Sequence, residues 1–254
     1  MWNLHSYDDF FLEDRKLSVV LPAYNEGANL FNNALTVNEA VGTFAKKYEI
    51  ILVNDGSQDN TFHEAMRARQ LDPKHIKVIS YSKNRGKGGA LKVGILKAKG
   101  ELIAFLDSDL DLSPLHLRGF TKTLIENDAD IVIGSKLHKD SRVDYPAIRK
   151  VFSYGYYAML KILFRLNTKD TQTGIKLYKA DVIKPIIKDI MTKGYAFDIE
   201  ILATAAKEKR KIMEMPVEVI YTRTLQGSGS RIRIKDIIRM FSDTLHIKKK
   251  LMKQ

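Results

Sequence analysis

Three carboxylates at alternate positions, Asp107, Asp109 and Asp111, follow directly on the apolar run Leu102 to Leu106. Such a run reads as a buried strand, and acidic residues at its carboxyl end have no place in a core. In an open parallel α/β sheet the carboxyl ends of the strands border the ligand crevice, so these side chains are expected to face it. Closely spaced carboxylates repel one another unless a cation lies between them, and hard oxygen ligands suit Mg2+ or Mn2+. Such a cation keeps several waters and takes its remaining ligands from a substrate diphosphate. The plainer alternative is that Asp109 caps the next helix while its neighbours are solvated turn residues.

The elements that must position this turn alternate along the first half of the chain. Apolar runs at Leu17–Leu21, Glu49–Val53, Ile76–Tyr81, Leu102–Leu106 and Asp130–Gly134 read as strands. Helical patterns separate them: one ending near Lys47, one from Asn60 to Gln70, one opened by Gly86-Lys87-Gly88-Gly89, and one from Pro114 to Asn127. This βαβα order with short connections predicts a mostly parallel sheet with helices on both faces, an α/β class of the Rossmann-like kind. Beyond Ser135 the alternation fails. A long apolar helix is expected from Tyr145 to Leu166, then a strand at Ile175–Tyr178, a helix from Ala196 to Lys209, a strand at Met215–Tyr221 and a basic amphipathic helix over 231–254.

At 254 residues the chain fits one domain, able to bury roughly 70 to 75% of the surface its unfolded form exposes. The absence of cysteine excludes disulfides, thiolate metal sites and a cysteine nucleophile. The start, with Asp8, Asp9, Glu13 and Asp14, is not a basic signal-peptide region, and no apolar run is long enough to span a bilayer. The net charge of +12 concentrates after Lys136 and again after Arg223, without aromatic-basic RNA motifs or zinc-finger spacings. Nucleic acid is therefore not the expected partner. Anionic lipid or a phosphorylated substrate is.

Two nucleotide-binding signatures are missing. The first strand ends in Pro22-Ala23-Tyr24-Asn25-Glu26 where a dinucleotide-binding protein carries its glycine fingerprint, and Gly86-Lys87-Gly88-Gly89 lacks the Ser or Thr of a phosphate loop. That pattern instead resembles another family. Pro22-Ala23-Tyr24-Asn25-Glu26, Val53-Asn54-Asp55-Gly56-Ser57-Gln58-Asp59, Gly86-Lys87-Gly88 and Asp107-Ser108-Asp109, in this order, are similar to the motifs of family 2 glycosyltransferases of the GT-A fold. In the second half, Gly134-Ser135-Lys136, Arg149 with Ser153, Asp170-Thr171-Gln172-Thr173-Gly174, Phe197-Asp198-Ile199-Glu200, and Arg223 before Gly227-Ser228 resemble the polyprenyl-phosphate hexosyltransferases. The Asp-Thr-Gln-Thr-Gly loop looks more like the dolichyl-phosphate glucosyltransferases than the mannosyltransferases.

The resemblance implies a set of roles. Pro22, Tyr24 and Glu26 would line the nucleotide pocket, Asp55 would bond the base or ribose, Lys87 and Ser108 would bind the nucleotide sugar, and Arg223 would lie near its phosphates. Asp107 and Asp109 would bring Mg2+ or Mn2+ to the diphosphate, with Asp111 standing where the mannosyltransferases have a Gln. Lys136 occupies the place of a common Arg, and with Arg149 and Ser153 it would bind the acceptor phosphate, Arg149 being assigned to catalysis as well. Asp198 and Glu200 sit where other family 2 enzymes place acidic catalytic residues; otherwise they are helix-start charges. The domain would run from 1 to 230, a nucleotide-sugar half over 17–135 and an acceptor half over 136–230.

The expected reaction is inverting transfer of a hexose, glucose from UDP-glucose, to dolichyl or polyprenyl phosphate at the cytoplasmic face of a membrane. GDP-mannose as donor, a saccharide acceptor, or a non-catalytic scaffold are the alternatives; a nucleotidyltransferase fits less well, since the first loop lacks a glycine- and arginine-rich triphosphate cradle. With no spanning helix of its own, the enzyme would be peripheral or would recruit a membrane protein. The basic terminal helix, with Ile234, Ile238, Phe241 and Leu245 in one stripe, is expected either to lie in the interface or to mediate a homo-oligomer.

Overall fold

The computed structural model describes residues 7–143, 159–164, 166–192, 194, 196–219 and 234–252, with side chains described from 242 onward in the last segment. Strands β1 (Leu17–Ala23), β2 (Tyr48–Asp55), β3 (Ile76–Tyr81) and β4 (Leu102–Leu106) alternate with helices α1 (Leu30–Gly42), α2 (Thr61–Leu71) and α3 (Lys87–Lys97). Helix α4 (His116–Glu126) leads to β5 (Ile131–Ser135). Then come β6 (Ile175–Lys179), α5 (Ala180–Asp189), α6 (Phe197–Lys207), β7 (Ile212–Pro216) and α7 (Ile234–Leu251).

The strands form one sheet in the order β3-β2-β1-β4-β6-β5-β7. Pairs β1·β2, β2·β3, β1·β4 and β5·β7 are parallel, whereas β6 is antiparallel to both β4 and β5. Strand β4 shows why the sheet is buried on both sides. Leu102, Ala104 and Leu106 join a core formed with α1, α2 and α4, while Ile103 and Phe105 join a second core formed with α3, α5, α6 and α7. The period-two alternation of strand side chains thus divides one apolar segment between two layers.

The expected α/β architecture is present, with local differences that have physical causes. Helix α1 stops at Gly42, because Ala45 pairs with Leu12 in an isolated bridge. The last strand ends at Pro216, which has no N–H to offer a ladder; among the described residues beyond it single bridges, Arg142 with Glu218 and Leu112 with Val219, continue the edge, and the end of the strand expected to Tyr221 lies outside the described residues. Helix α5 was not expected. Its apolar residues Val182, Ile183, Ile186 and Ile187 share one buried face, but Pro185 interrupts the pattern. Most of the helix expected over 145–166 lies outside the described residues; 159–164 is helical.

Helix α7 packs on the fold through Thr244, Ile247 and Leu251, which are buried, while Leu245 is exposed. The packed stripe is therefore not the one containing Leu245. Two lysines of this helix also serve as ties: Lys248 Nζ donates to the Leu163 carbonyl at 2.6 Å, and Lys250 reaches Asp189 O and Glu200. No described helix is long and apolar enough to cross a membrane.

Candidate active site

Strand order reverses between β1 and β4, and a sheet of this kind opens its ligand crevice at such a reversal, beyond the carboxyl ends of the strands. The loops bordering it are tied to one another. Asn25 N donates to Ser57 Oγ at 3.0 Å, and Gln58 N to Asn25 Oδ1 at 3.0 Å, joining the loops after β1 and β2. Asp55, 2% exposed, accepts from Tyr81 OH at 2.7 Å and Arg85 N at 2.8 Å through Oδ1, joining β2 to the loop after β3. Burial first, and Asp55 second, hold the Tyr81 phenol well above its ordinary pKa.

The acidic turn closes this series. Leu110 N donates to Asp107 O at 3.3 Å, and Leu110 adopts a left-handed conformation at φ 54°. A bulky side chain in that region is strained, and such strain clusters at functional turns. Leu110 packs on the first core, which helps to offset it. Ser108 is buried, its carbonyl accepting from Asn33 Nδ2 at 2.8 Å, and Asp111 N lies 3.4 Å from Asp109 Oδ1.

Asp107 is 35% exposed, as is Lys87 at the start of α3, whose ammonium pairs with Asp107 Oδ1 at 2.6 Å. Burial works against the Lys87 charge, but Asp107, Asp198 and Asp109 outweigh it and raise its pKa above the ordinary lysine value. Among the described residues no three His, Asp or Glu side chains converge as a closed metal cage. One or two carboxylates on an open crevice are the donor set that leaves room for a diphosphate on Mg2+ or Mn2+, and this turn fits it.

Because β6 runs against β4, its first residue Ile175 pairs with Leu106, and the loop before it arrives at the crevice. Asp107 N donates to Gly174 O at 2.9 Å, and a Cβ on Gly174 would fall 2.1 Å from Asp107 Oδ2. Only glycine lets that carboxylate lie there. Asp170 organises the rest of the loop, accepting from Gln172 N at 3.1 Å and from Lys136 N at 2.9 Å. Lys136 is thereby anchored through its backbone at the end of β5.

Helix α6 separates two carboxylates that the sequence brings close. Residues two apart on a helix do not share a face. Asp198 meets Lys176 Nζ at 3.0 Å, next to the acidic turn, and its backbone neighbour Phe197 packs so closely on Gly88 of α3 that a Cβ there would lie 2.8 Å from the Phe197 ring. Glu200 has no exposed surface and points elsewhere. It accepts from Met191 N, Thr192 N and Thr192 Oγ1, and pairs with Lys250 Nζ at 2.8 Å. Burial raises its pKa, but Lys250 and the Thr192 and Met191 donors prevail and lower it.

The structure thus brings Asp107, Ser108, Asp109, Asp111, Lys87 and Asp198 to one end of β4, with Pro22 and Asp55 at the carboxyl ends of β1 and β2 and Tyr24 and Glu26 on the loop after β1. Tyr24 is 47% exposed on the first loop. Glu26 N donates to Thr61 Oγ1 at 2.8 Å, which fixes that loop against α2. Arg149, Ser153 and Arg223 lie outside the described residues. Sequence reasoning missed Lys176, fully buried on β6 between the Thr173 carbonyl (2.7 Å) and Asp198. A lysine within the apolar strand Ile175–Lys179 was the available signal. Burial lowers the Lys176 pKa, Asp198 opposing and Lys87 adding repulsion.

A mostly parallel sheet covered by helices on both faces, with an acidic turn at the strand-order reversal, is the architecture of the GT-A fold. The chain belongs to glycosyl transferase family 2, whose family model matches residues 18–187. It is 30% identical over an alignment 267 positions long to the dolichyl-phosphate beta-glucosyltransferase of Saccharomyces cerevisiae, covering 97% of this chain and 77% of the yeast protein. The human protein of that name is 31% identical, over 86% of this chain and 70% of its own length. Among solved structures, glucosyl-3-phosphoglycerate synthase from Mycobacterium tuberculosis, in complex with Mn2+, UDP and glucosyl-3-phosphoglycerate, superimposes with a TM-score of 0.68. It is 20% identical, with 97% of this chain and 84% of that one covered, a likeness of fold.

Proposed function

We propose that this protein is a metal-dependent, inverting glucosyltransferase that moves glucose from UDP-glucose to dolichyl or another polyprenyl phosphate. The observation that carries the reading is its likeness to dolichyl-phosphate beta-glucosyltransferases over nearly the whole chain, with the acidic turn of the family assembled at the crevice. The donor occupies the half of the domain over 17–135, and the acceptor the half over 136–230. Mannosyl transfer from GDP-mannose is the nearest competing reaction.

Tyr24 offers an exposed ring to the base, beside Pro22 and Glu26, and Asp55 serves the base or ribose. Asp107 and Asp109, with Asp111 beside them, hold Mg2+ or Mn2+. When bound, such an ion supplies neutralisation of charge on the departing nucleoside diphosphate. Lys87 adds a second positive charge beside Asp107, and Arg223 is assigned to the same phosphates. Lys136, Arg149 and Ser153 are assigned to the acceptor phosphate. A phosphate monoester is already anionic near neutral pH, its second pKa being about 6, so it attacks without a strong general base. Asp198, held at 3.0 Å by Lys176, serves to orient the reactants beside the transferring sugar. Glu200 is engaged with α7 and receives no part in the chemistry.

The exposed Ile162, Met191, Leu245 and Met252, together with the exposed Lys249 in the last turn of α7, suit a peripheral position on an anionic cytoplasmic leaflet. The test is transfer of label from UDP-glucose and, separately, GDP-mannose into organic-extractable lipid, with polyprenyl phosphate in detergent and Mn2+. Labelled lipid from UDP-glucose is expected, with none when the free polyprenol replaces its phosphate. Label from GDP-mannose alone would reassign the donor. No labelled lipid from either would overturn the reading.

A further inference from the structure

Lys176 has no exposed surface, and an ammonium withdrawn from water must find its partners inside the protein. It has three: the Thr173 carbonyl at 2.7 Å, Asp198 Oδ1 at 3.0 Å and the Phe105 ring, whose centroid lies 4.8 Å away. Lys87 Nζ lies 5.8 Å from the centroid of the same ring. Phe105 is thus common to two cations that serve two carboxylates, Lys87 paired with Asp107 and Lys176 with Asp198.

Both hydrogen bonds of Lys176 lead to the crevice. Thr173 precedes Gly174, which bonds the Asp107 amide and leaves space for its carboxylate. Asp198 stands in the first turn of α6, whose Phe197 is wedged against the start of α3. For stability alone a buried ion pair is no better than apolar side chains of similar volume. For a reaction that depends on fixed charges, a rigid support beneath them is what keeps their spacing constant.

We propose that Lys176 is a positioning residue for the transfer reaction, fixing Asp198 directly and Asp107 through Thr173 and Gly174, so that the carboxylate at the diphosphate and the carboxylate beside the transferring sugar keep one separation. The proposal rests on the crevice being the transfer site. Its action is on geometry: a displacement of about 1 Å at a reacting centre costs on the order of 100-fold in rate.

The experiment compares wild type, Lys176→Met, Asp198→Asn and the double variant, measuring melting temperature, kcat and KM for UDP-glucose, and the Mn2+ concentration giving half-maximal rate. Lys176→Met is expected to lower kcat about 100-fold while KM changes by less than about threefold. Should Lys176→Met not fold, the double variant, which removes both charges of the pair, restores folding. It is expected to be about tenfold slower than Asp198→Asn alone and to need more Mn2+, because the support of Asp107 is lost as well. A folded Lys176→Met with the wild-type kcat, or a double variant matching Asp198→Asn in both rate and Mn2+ requirement, overturns the role of Lys176. Wild-type protein without transfer would instead overturn the function, and this role with it.

Discussion

The Asp107 carboxylate and the missing side chain of Gly174 occupy one space, so the acidic turn depends on a residue that carries no chemistry itself. Gly174→Ala, whose Cβ would fall 2.1 Å from Asp107 Oδ2, is expected to displace that carboxylate and reduce transfer by about 100-fold. Circular dichroism that stays near wild type would separate this from unfolding. A second residue-scale outcome concerns His116, 2% exposed at the start of α4. Burial lowers its pKa to about 4, only partly opposed by the Glu218 backbone, and the Glu218 N–H lies 3.3 Å from Nε2, as suits the neutral ring. The unfolded chain takes up a proton near pH 6.5 and the folded one near 4, so stability from this group is complete above 6.5 and falls as pH drops toward 4. The loss is about 3 kcal/mol. Denaturant unfolding of His116→Gln across that window should show a shallower decline than wild type; parallel curves would contradict it. Of these residues the place of the acidic turn, at the end of a buried strand, was legible from the apolar run before it, while spacing alone left helix capping as an alternative. The partnership of Gly174 with Asp107 was not, because it arises from an antiparallel pairing that no local pattern encodes.

Helix α6 decides which of its two acids can meet the site. Asp198 faces Lys176 and the crevice, whereas Glu200 holds the α5–α6 connection and the end of α7 together. Glu200→Gln leaves Lys250 without its counter-charge and is expected to cost about 3 kcal/mol, the low end for breaking a buried pair because Lys250 is 16% exposed. That corresponds to a fall in Tm on the order of 8 °C. The rate per folded molecule should stay near wild type, and a large loss of kcat at unchanged Tm would place Glu200 in the chemistry after all. Sequence spacing grouped the two acids as one motif, and only the helical turn between them, with the packing of α7, tells them apart. The same limit applies to α5. Its stripe of Val182, Ile183, Ile186 and Ile187 is a helix signal, but Pro185 reads as a stop until tertiary packing is known to compensate for the lost backbone bond.

At the scale of the whole molecule, the βαβα half was readable because each buried strand is a short apolar run closed by turn residues, and the sheet edge beyond β4 was not, because β6 enters from a distant part of the chain and reverses direction. Charge distribution was readable as well. With a net charge of +12, binding to vesicles containing anionic lipid is expected to exceed binding to neutral vesicles and to weaken as salt is raised from about 0.05 to 0.5 M, in a flotation assay. Equal binding to both vesicle types would contradict an electrostatic membrane contact. The central claim is that the turn at the end of β4 brings a divalent ion to the diphosphate of the donor. Its most direct test is a Mn2+ titration of glucosyl-lipid formation from UDP-glucose by wild type and Asp109→Ala, each verified as folded. The account predicts a saturable dependence on Mn2+ in wild type, and in the variant a loss of at least about 100-fold that added Mn2+ does not restore. Wild-type turnover in the chelated protein, or a variant with the wild-type Mn2+ curve, would contradict it.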